Sequence, residues 1–121
     1  MKKTLKIGVA PREVIARYTR DVIGARRRHK AGDPDIWFTS VESLAKVLSE
    51  RNRKLLALIA ERRPDSIDAL AAASGRGKSG LSRTLHTMAR YGFVRLEKGE
   101  GRKLRPIVTF ERVELRLVLA V

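Results

Sequence analysis

The chain has 121 residues, 43% of them hydrophobic, and its 27 basic and 13 acidic side chains give a net charge of +14. This composition supports a real core in one domain, or one domain with an arm, and argues against disorder throughout. The lack of cysteine excludes a disulfide framework, and two histidines argue against a metal site. No apolar run reaches the roughly 18 residues of a membrane span and the start is no secretory signal, so we expect a cytoplasmic protein without membrane or cofactor.

The first 35 residues are predicted to form a strand-helix arm. Apolar residues alternate with others over 3–9, which is typical of a half-buried strand, and Pro11 begins a helix over about 12–28. An Ala-Gly-Asp-Pro turn then places a boundary at about 30–35. Trp37, the only tryptophan, follows this boundary between apolar neighbours, and we interpret it as a core anchor.

Two interpretations of the arm stay open. Its apolar side and that of the last strand offer more apolar surface than a small monomer covers, which suggests a homodimer. Alternatively, the basic residues 26–28 form a nucleic-acid-binding tail. We favour dimer formation through the apolar side and phosphate contact through the basic end. The expected dimerisation residues are Leu5, Ile7, Val9, Val14, Ile15, Tyr18, Val22, Leu115 and Leu117.

Three short helices are predicted after the arm. The first begins at a capping-box pattern, in which Thr39 is followed three residues later by Glu42. Ser49 is placed to cap the second helix, over about 50–62, and Ser66 is placed to cap the third. A glycine-rich turn then leads to a fourth helix.

This fourth helix, over about 78–91, has two faces of different chemistry. Leu81, Leu85 and Met88 recur at helical spacing, so they must face the core. A solvated helix face usually mixes acids with bases, because pairs of opposite charge stabilise it. Here the polar face has hydroxyls, one histidine and two arginines but no carboxylate: Ser79, Ser82, Arg83, His86 and Arg90.

A hairpin with a basic tip is predicted after this helix, followed by a last amphipathic strand over 113–119. Residues 76–105 hold nine basic residues against two acidic ones, which is half of the net charge of +14 in a quarter of the chain. Each phosphate that lysine or arginine neutralises releases condensed counterions and adds affinity. The segment therefore has the electrostatic character of a duplex-DNA-binding surface.

Three motifs carry a resemblance to a known family: SIDALA, the run GRGKSGLSRTL and the YGFVRLE step into the hairpin. With them, residues 36–115 resemble the winged-helix, MarR-like transcriptional regulators of prokaryotes, and the TLKIGVAPRE start resembles them weakly. The resemblance implies an α+β, mainly α, fold, with an arm at 1–35 and a winged helix-turn-helix domain at 36–121. It also implies a homodimer that binds double-stranded DNA and has no enzymatic activity.

The positions that match the family's recognition helix are Ser79, Ser82, Arg83 and His86, with Arg76 and Lys78 at its entrance; those that match the wing are Lys98, Arg102, Lys103 and Arg105. We expect Arg83 to donate to a guanine in the major groove, and the wing to follow the backbone or the minor groove. The alternatives are that Arg83 contacts only phosphate, that His86 is an ordinary surface residue, and that the hairpin is solvated and makes no contact with DNA.

Two other functions stay open. The protein could be an antitoxin that occludes a toxin and regulates its own synthesis, or a non-specific nucleic-acid-binding protein that uses charge alone. An enzyme is disfavoured, because no acid, base, nucleophile or ligand cluster stands out in the sequence.

Overall fold

The computed structural model describes residues 4–24, 28–30 and 32–119. This part of the chain is a small α+β structure, roughly half helical, with five helices and five strands, so the predicted fold class is confirmed at this level. The elements are β1 (Thr4–Val9), α1 (Arg12–Ile23), β2 (Ile36–Phe38), α2 (Val41–Val47), α3 (Glu50–Arg62), α4 (Ile67–Ser74), α5 (Lys78–Arg90), β3 (Arg95–Lys98), β4 (Leu104–Ile107) and β5 (Arg112–Leu117). Among the residues described, no helix combines the length and the apolar character needed to cross a bilayer.

The chain divides into two compact units whose boundary differs from the predicted one. The first unit combines Met1–Lys46 with Phe110–Val121, and the second is Val47–Thr109. The prediction placed β2 and β5 with the helical domain, but both strands pair with β1. The N-terminal strand is therefore the centre of a sheet rather than part of a separate arm.

The first unit is built on a parallel sheet with strand order β2-β1-β5. Parallel neighbours need a crossover connection, and α1 supplies it between β1 and β2. Gly8 lies directly opposite Trp37, and an added Cβ at Gly8 would lie 2.5 Å from two atoms of the indole ring. Tyr18 of α1 packs against the same ring, with centroids 5.4 Å apart. Trp37 thus joins the helix to the sheet while remaining half-buried.

The residues expected in a dimer interface fall into three groups that differ in exposure. Leu5, Ile7 and Val9 have 8%, 0% and 3% exposure, because β1 is the central strand, so these three are core residues rather than interface residues. Leu115 and Leu117 on the edge strand β5 are 56% and 55% exposed. The four expected residues on α1 are half-buried: Val14, Ile15, Tyr18 and Val22.

Two local predictions in the first unit were wrong. α1 ends at Ile23 rather than near residue 28, because Gly24, a poor helix former, takes the C-cap position. Residues 26 and 27 of the expected basic tail lie outside the described residues.

The N-cap of α2 is Ser40 rather than Thr39, since the Ser40 Oγ accepts from the Ser43 N–H at 3.0 Å. The helix begins one residue later than the capping-box pattern implied.

The second unit contains α3, α4, α5 and an antiparallel β3-β4 hairpin. The predicted caps of α3 and α4 are confirmed, because Ser49 accepts from the Asn52 N–H at 3.2 Å and Ser66 from the Ala69 N–H at 3.0 Å. Gly75 has a φ of 74°, a left-handed conformation that glycine adopts without strain, and it turns the chain toward α5. Buried side chains from the three helices, from β4 and from the segment before β3 close the unit's core: Leu55, Leu56, Ile59, Ile67, Leu70, Leu81, Leu85, Met88, Phe93, Val94 and Pro106.

Candidate nucleic-acid interface

The orientation of α5 is set by its buried side. Leu81, Leu85 and Met88 have 1%, 0% and 0% exposure, so the prediction that they face the core is confirmed. Their spacing of four and three residues puts them on one stripe of the helix. The opposite side of α5 is consequently turned to solvent.

The solvent side of α5 carries the polar residues that the sequence singled out. Ser79, Arg83, His86 and Arg90 are exposed, and Ser82 is half-buried. The His86 Nδ1 lies 2.8 Å from the Ser82 carbonyl oxygen, which only accepts, so Nδ1 donates this bond. The Nε2 atom then accepts when the ring is neutral and donates when it is charged. His86 can therefore address either a donor or an acceptor on a ligand.

Arg76 joins two helices as well as carrying charge. Its Nη1 donates to the Asn52 Oδ1 of α3 at 3.3 Å, and its Nη2 donates to the Thr84 Oγ1 of α5 at 3.4 Å. The Asn52 side-chain amide donates in turn to the Val47 carbonyl at 3.0 Å, which holds its oxygen toward the arginine. Partial burial lowers the pKa of the Arg76 guanidinium, and the charge of Arg51 lowers it further.

Lys78, at the start of α5, is paired with an acid. Its Nζ lies 2.8 Å from the Asp68 Oδ1 in the first turn of α4. Both side chains are 63% exposed, and exposed pairs of this kind contribute only about 0–1 kcal/mol. A phosphate group can therefore compete with Asp68 for the lysine.

An acid also holds two cations of the hairpin. Glu97 on β3 lies opposite Arg105 on β4, and its carboxylate accepts from Arg105 and Arg95, each at 3.0 Å. The hydrogen bond from Arg105 lowers the pKa of the Glu97 carboxyl, and Arg95 lowers it further. The carboxylate thus stays ionised and offsets part of the hairpin's charge.

The tip of the hairpin presents three exposed cations: Lys98, Arg102 and Lys103. The Gly99 N–H donates to the Lys103 carbonyl at 2.9 Å, and the Lys103 N–H donates to the Glu100 carbonyl at 3.2 Å. These two bonds hold the turn after Lys98, in which Arg102 and Lys103 lie.

All eleven residues expected to bind DNA lie in the second unit, but their surroundings differ. Ion pairs occupy Lys78 and Arg105, and hydrogen bonds hold Arg76 between two helices. Sequence reasoning missed the supporting role of Asn52, which lies 24 residues from Arg76. No local pattern in the sequence signals a hydrogen bond over such a separation.

Comparisons with known proteins bear on this same part of the chain. Residues 47–115, more than half of the sequence, match the model of a family described as HVO_A0114. No curated protein and no solved structure matches the chain. The matched residues begin with the second unit and continue into β5.

Proposed function

The chain belongs to the HVO_A0114 family, and we propose that it is a transcriptional regulator that binds double-stranded DNA sequence-specifically. In this proposal α3, α4 and α5 are the helices of a MarR-like winged helix-turn-helix domain, α5 is the recognition helix, and β3 and β4 form the wing. One observation carries the proposal. The core orients α5 through three buried apolar side chains, and the side left exposed is cationic and free of carboxylates.

The electrostatics of this surface suit a DNA duplex. The major groove of B-DNA admits an α-helix, and the phosphates on either side of the groove attract Lys and Arg. The N-cap residue of α5 is Gly77, which has no side chain to accept from the first N–H groups of the helix, so these groups can donate to a phosphate. The cationic hairpin tip supplies further phosphate contacts.

Different residues serve affinity and specificity in this proposal. Arg83 is exposed in the middle of the polar face, and its guanidinium can donate two hydrogen bonds to the O6 and N7 of a guanine. Ser79 and His86 can reach a base edge or a phosphate, while Lys103 at the hairpin tip contacts phosphate only. Arg76 supports α5 through its bonds to Asn52 and Thr84.

A salt titration tests the electrostatic part of the proposal. If the surface neutralises about six to ten phosphates, a plot of log K against log salt concentration falls with a slope of about −5 to −9. Fluorescence anisotropy with a labelled duplex measures K across the series. A slope near zero would refute the electrostatic part of the proposal, because no counterion release would then accompany binding.

Two variants separate base reading from phosphate contact, using duplexes selected from a random pool. Arg83→Ala is expected to reduce the preference among sequences by about 1–3 kcal/mol, whereas Lys103→Ala weakens all sequences alike and reduces the steepness of the salt slope by about one unit. Arg20→Ala, on α1 in the first unit, removes the same charge and serves as the control. Identical effects of Arg83→Ala and Lys103→Ala would show that Arg83 does not read bases.

A further inference from the structure

The outer edge of β5 combines exposed apolar residues with a regular strand. In the described part of the chain β5 is an end strand of its sheet, pairing with β1 along all six residues. Leu115 and Leu117 are 56% and 55% exposed. Free strand edges of this kind are templates for pairing with another chain, and natural proteins usually blunt them with charge, proline or a bulge.

The hydrogen bonds to β1 determine which backbone groups of β5 point outward. The Val118 N–H donates to the Val9 carbonyl at 2.8 Å, and in a parallel ladder alternate residues of a strand bond to the same neighbour. The even-numbered residues of β5 therefore bond to β1. The N–H and C=O groups of Val113, Leu115 and Leu117 point away from β1, at the free edge.

The sequence of β5 is self-complementary in the antiparallel register that is centred on Leu115. With Leu115 opposite its own copy, Val113 lies opposite Leu117 of the second copy, and Glu114 lies opposite Arg116 of the second copy. Apolar residues then meet on one face and opposite charges on the other. The outward groups of Leu115 form a hydrogen-bonded pair, and Glu114 and Arg116 form the non-hydrogen-bonded pairs in which side chains approach most closely.

The registers in which the second copy is displaced by one or two residues from this one are unfavourable. A register centred on Glu114 or on Arg116 places a charged residue opposite its own copy. A register shifted by a single residue places leucine opposite arginine or glutamate, because one step moves every side chain to the other face. The Arg116 Nη2 already donates to the Gly32 carbonyl at 2.8 Å, which holds the guanidinium on the face where Glu114 of a second copy would lie.

We propose that the occupant of this edge is a second copy of the chain, with the two β5 strands antiparallel about a two-fold axis at Leu115. The pairing joins two three-stranded sheets into one of six strands and covers Leu115 and Leu117. It does not depend on DNA, so it can fail or succeed independently of the proposed function.

Charge reversal tests the register in solution without DNA. Analytical ultracentrifugation of the wild-type chain is expected to give twice the 13.6 kDa chain mass. Glu114→Arg alone and Arg116→Glu alone each place like charges opposite one another twice, and each is expected to raise the dimer dissociation constant at least about tenfold. The double variant Glu114→Arg/Arg116→Glu restores the homodimer. An equimolar mixture of the two single variants forms a heterodimer, because their charges are complementary.

In the ultracentrifugation experiment, two results would overturn the pairing: a wild-type chain that stays monomeric, or a wild-type dimer that neither single variant weakens. If the single variants do not fold, amide hydrogen exchange of the wild-type chain tests whether β5 forms the dimer interface. The outward amides of Val113, Leu115 and Leu117 should gain protection as concentration rises, whereas those of Glu114 and Arg116 are protected at every concentration. Outward amides that remain unprotected in a dimer would place its interface elsewhere and refute the proposal.

Discussion

The packing of Trp37 against Gly8 leads to a prediction about stability. In Gly8→Ala the new Cβ would lie 2.5 Å from the Cε3 and Cζ3 atoms of Trp37 and 2.8 Å from the Cγ of Pro34. Both obstacles are rings, and the indole is also held by Tyr18. Neither ring can yield as the end of a flexible side chain would, so the sheet or the helix has to move.

The size of the effect follows from two opposing contributions. Overpacking of a tight site costs about 1–3 kcal/mol. Replacing glycine by alanine also restricts the unfolded chain, which offsets about 0.4–1 kcal/mol of that loss. We therefore expect the free energy of unfolding to fall by about 1–2 kcal/mol, which lowers the urea midpoint by about 1 M.

The assay is urea unfolding followed by tryptophan fluorescence. Trp37 is the only tryptophan, so its emission reports on this packing directly. Gly80→Ala is the matched control, because a Cβ built there meets no atom within 4 Å other than those of its chain neighbours and its own helix backbone, so its midpoint is expected to rise rather than fall. An unchanged midpoint and unchanged emission in Gly8→Ala would refute the proposed packing of the indole on β1.

Three further variants test local features of the second unit. Glu97→Gln frees Arg95 and Arg105 and is expected to tighten duplex binding several-fold and to steepen the salt slope by about one unit. The control Glu61→Gln makes the same charge change on α3 and should tighten binding less. Equal effects of the two variants would argue against the ion pairs of Glu97 with the two arginines. Gly80→Ala should raise the free energy of unfolding of the DNA-free protein by about 1 kcal/mol, because alanine is the better helix former, as measured by circular dichroism during denaturation. A lower free energy of unfolding would indicate a steric clash at the new Cβ. Ser66→Ala should lower the free energy of unfolding by about 1 kcal/mol through loss of the α4 cap, whereas an unaltered denaturation curve would mean that the cap is dispensable.

The elements that the sequence predicted well depend on local chemistry. The caps at Ser49 and Ser66 and the buried stripe of α5 each involve residues within two helical turns of one another. Such interactions leave a pattern that can be read along the chain. The exposed cationic side of α5 follows from the same periodicity, since burying one stripe of a helix exposes the other.

Chain-distant contacts were decided by the tertiary structure alone. β1 pairs with β5 from Thr4 opposite Arg112 to Val9 opposite Leu117, and no residue near either strand indicates that partner. The pairing turned residues expected at a dimer interface into core residues and left Leu115 at an exposed edge. The ion pairs of Lys78 with Asp68 and of Arg105 with Glu97 likewise depend on the tertiary structure, because each of them joins residues of two different elements or strands. Local periodicity determines which side of an element is apolar, whereas the partner that covers it depends on how distant segments pack.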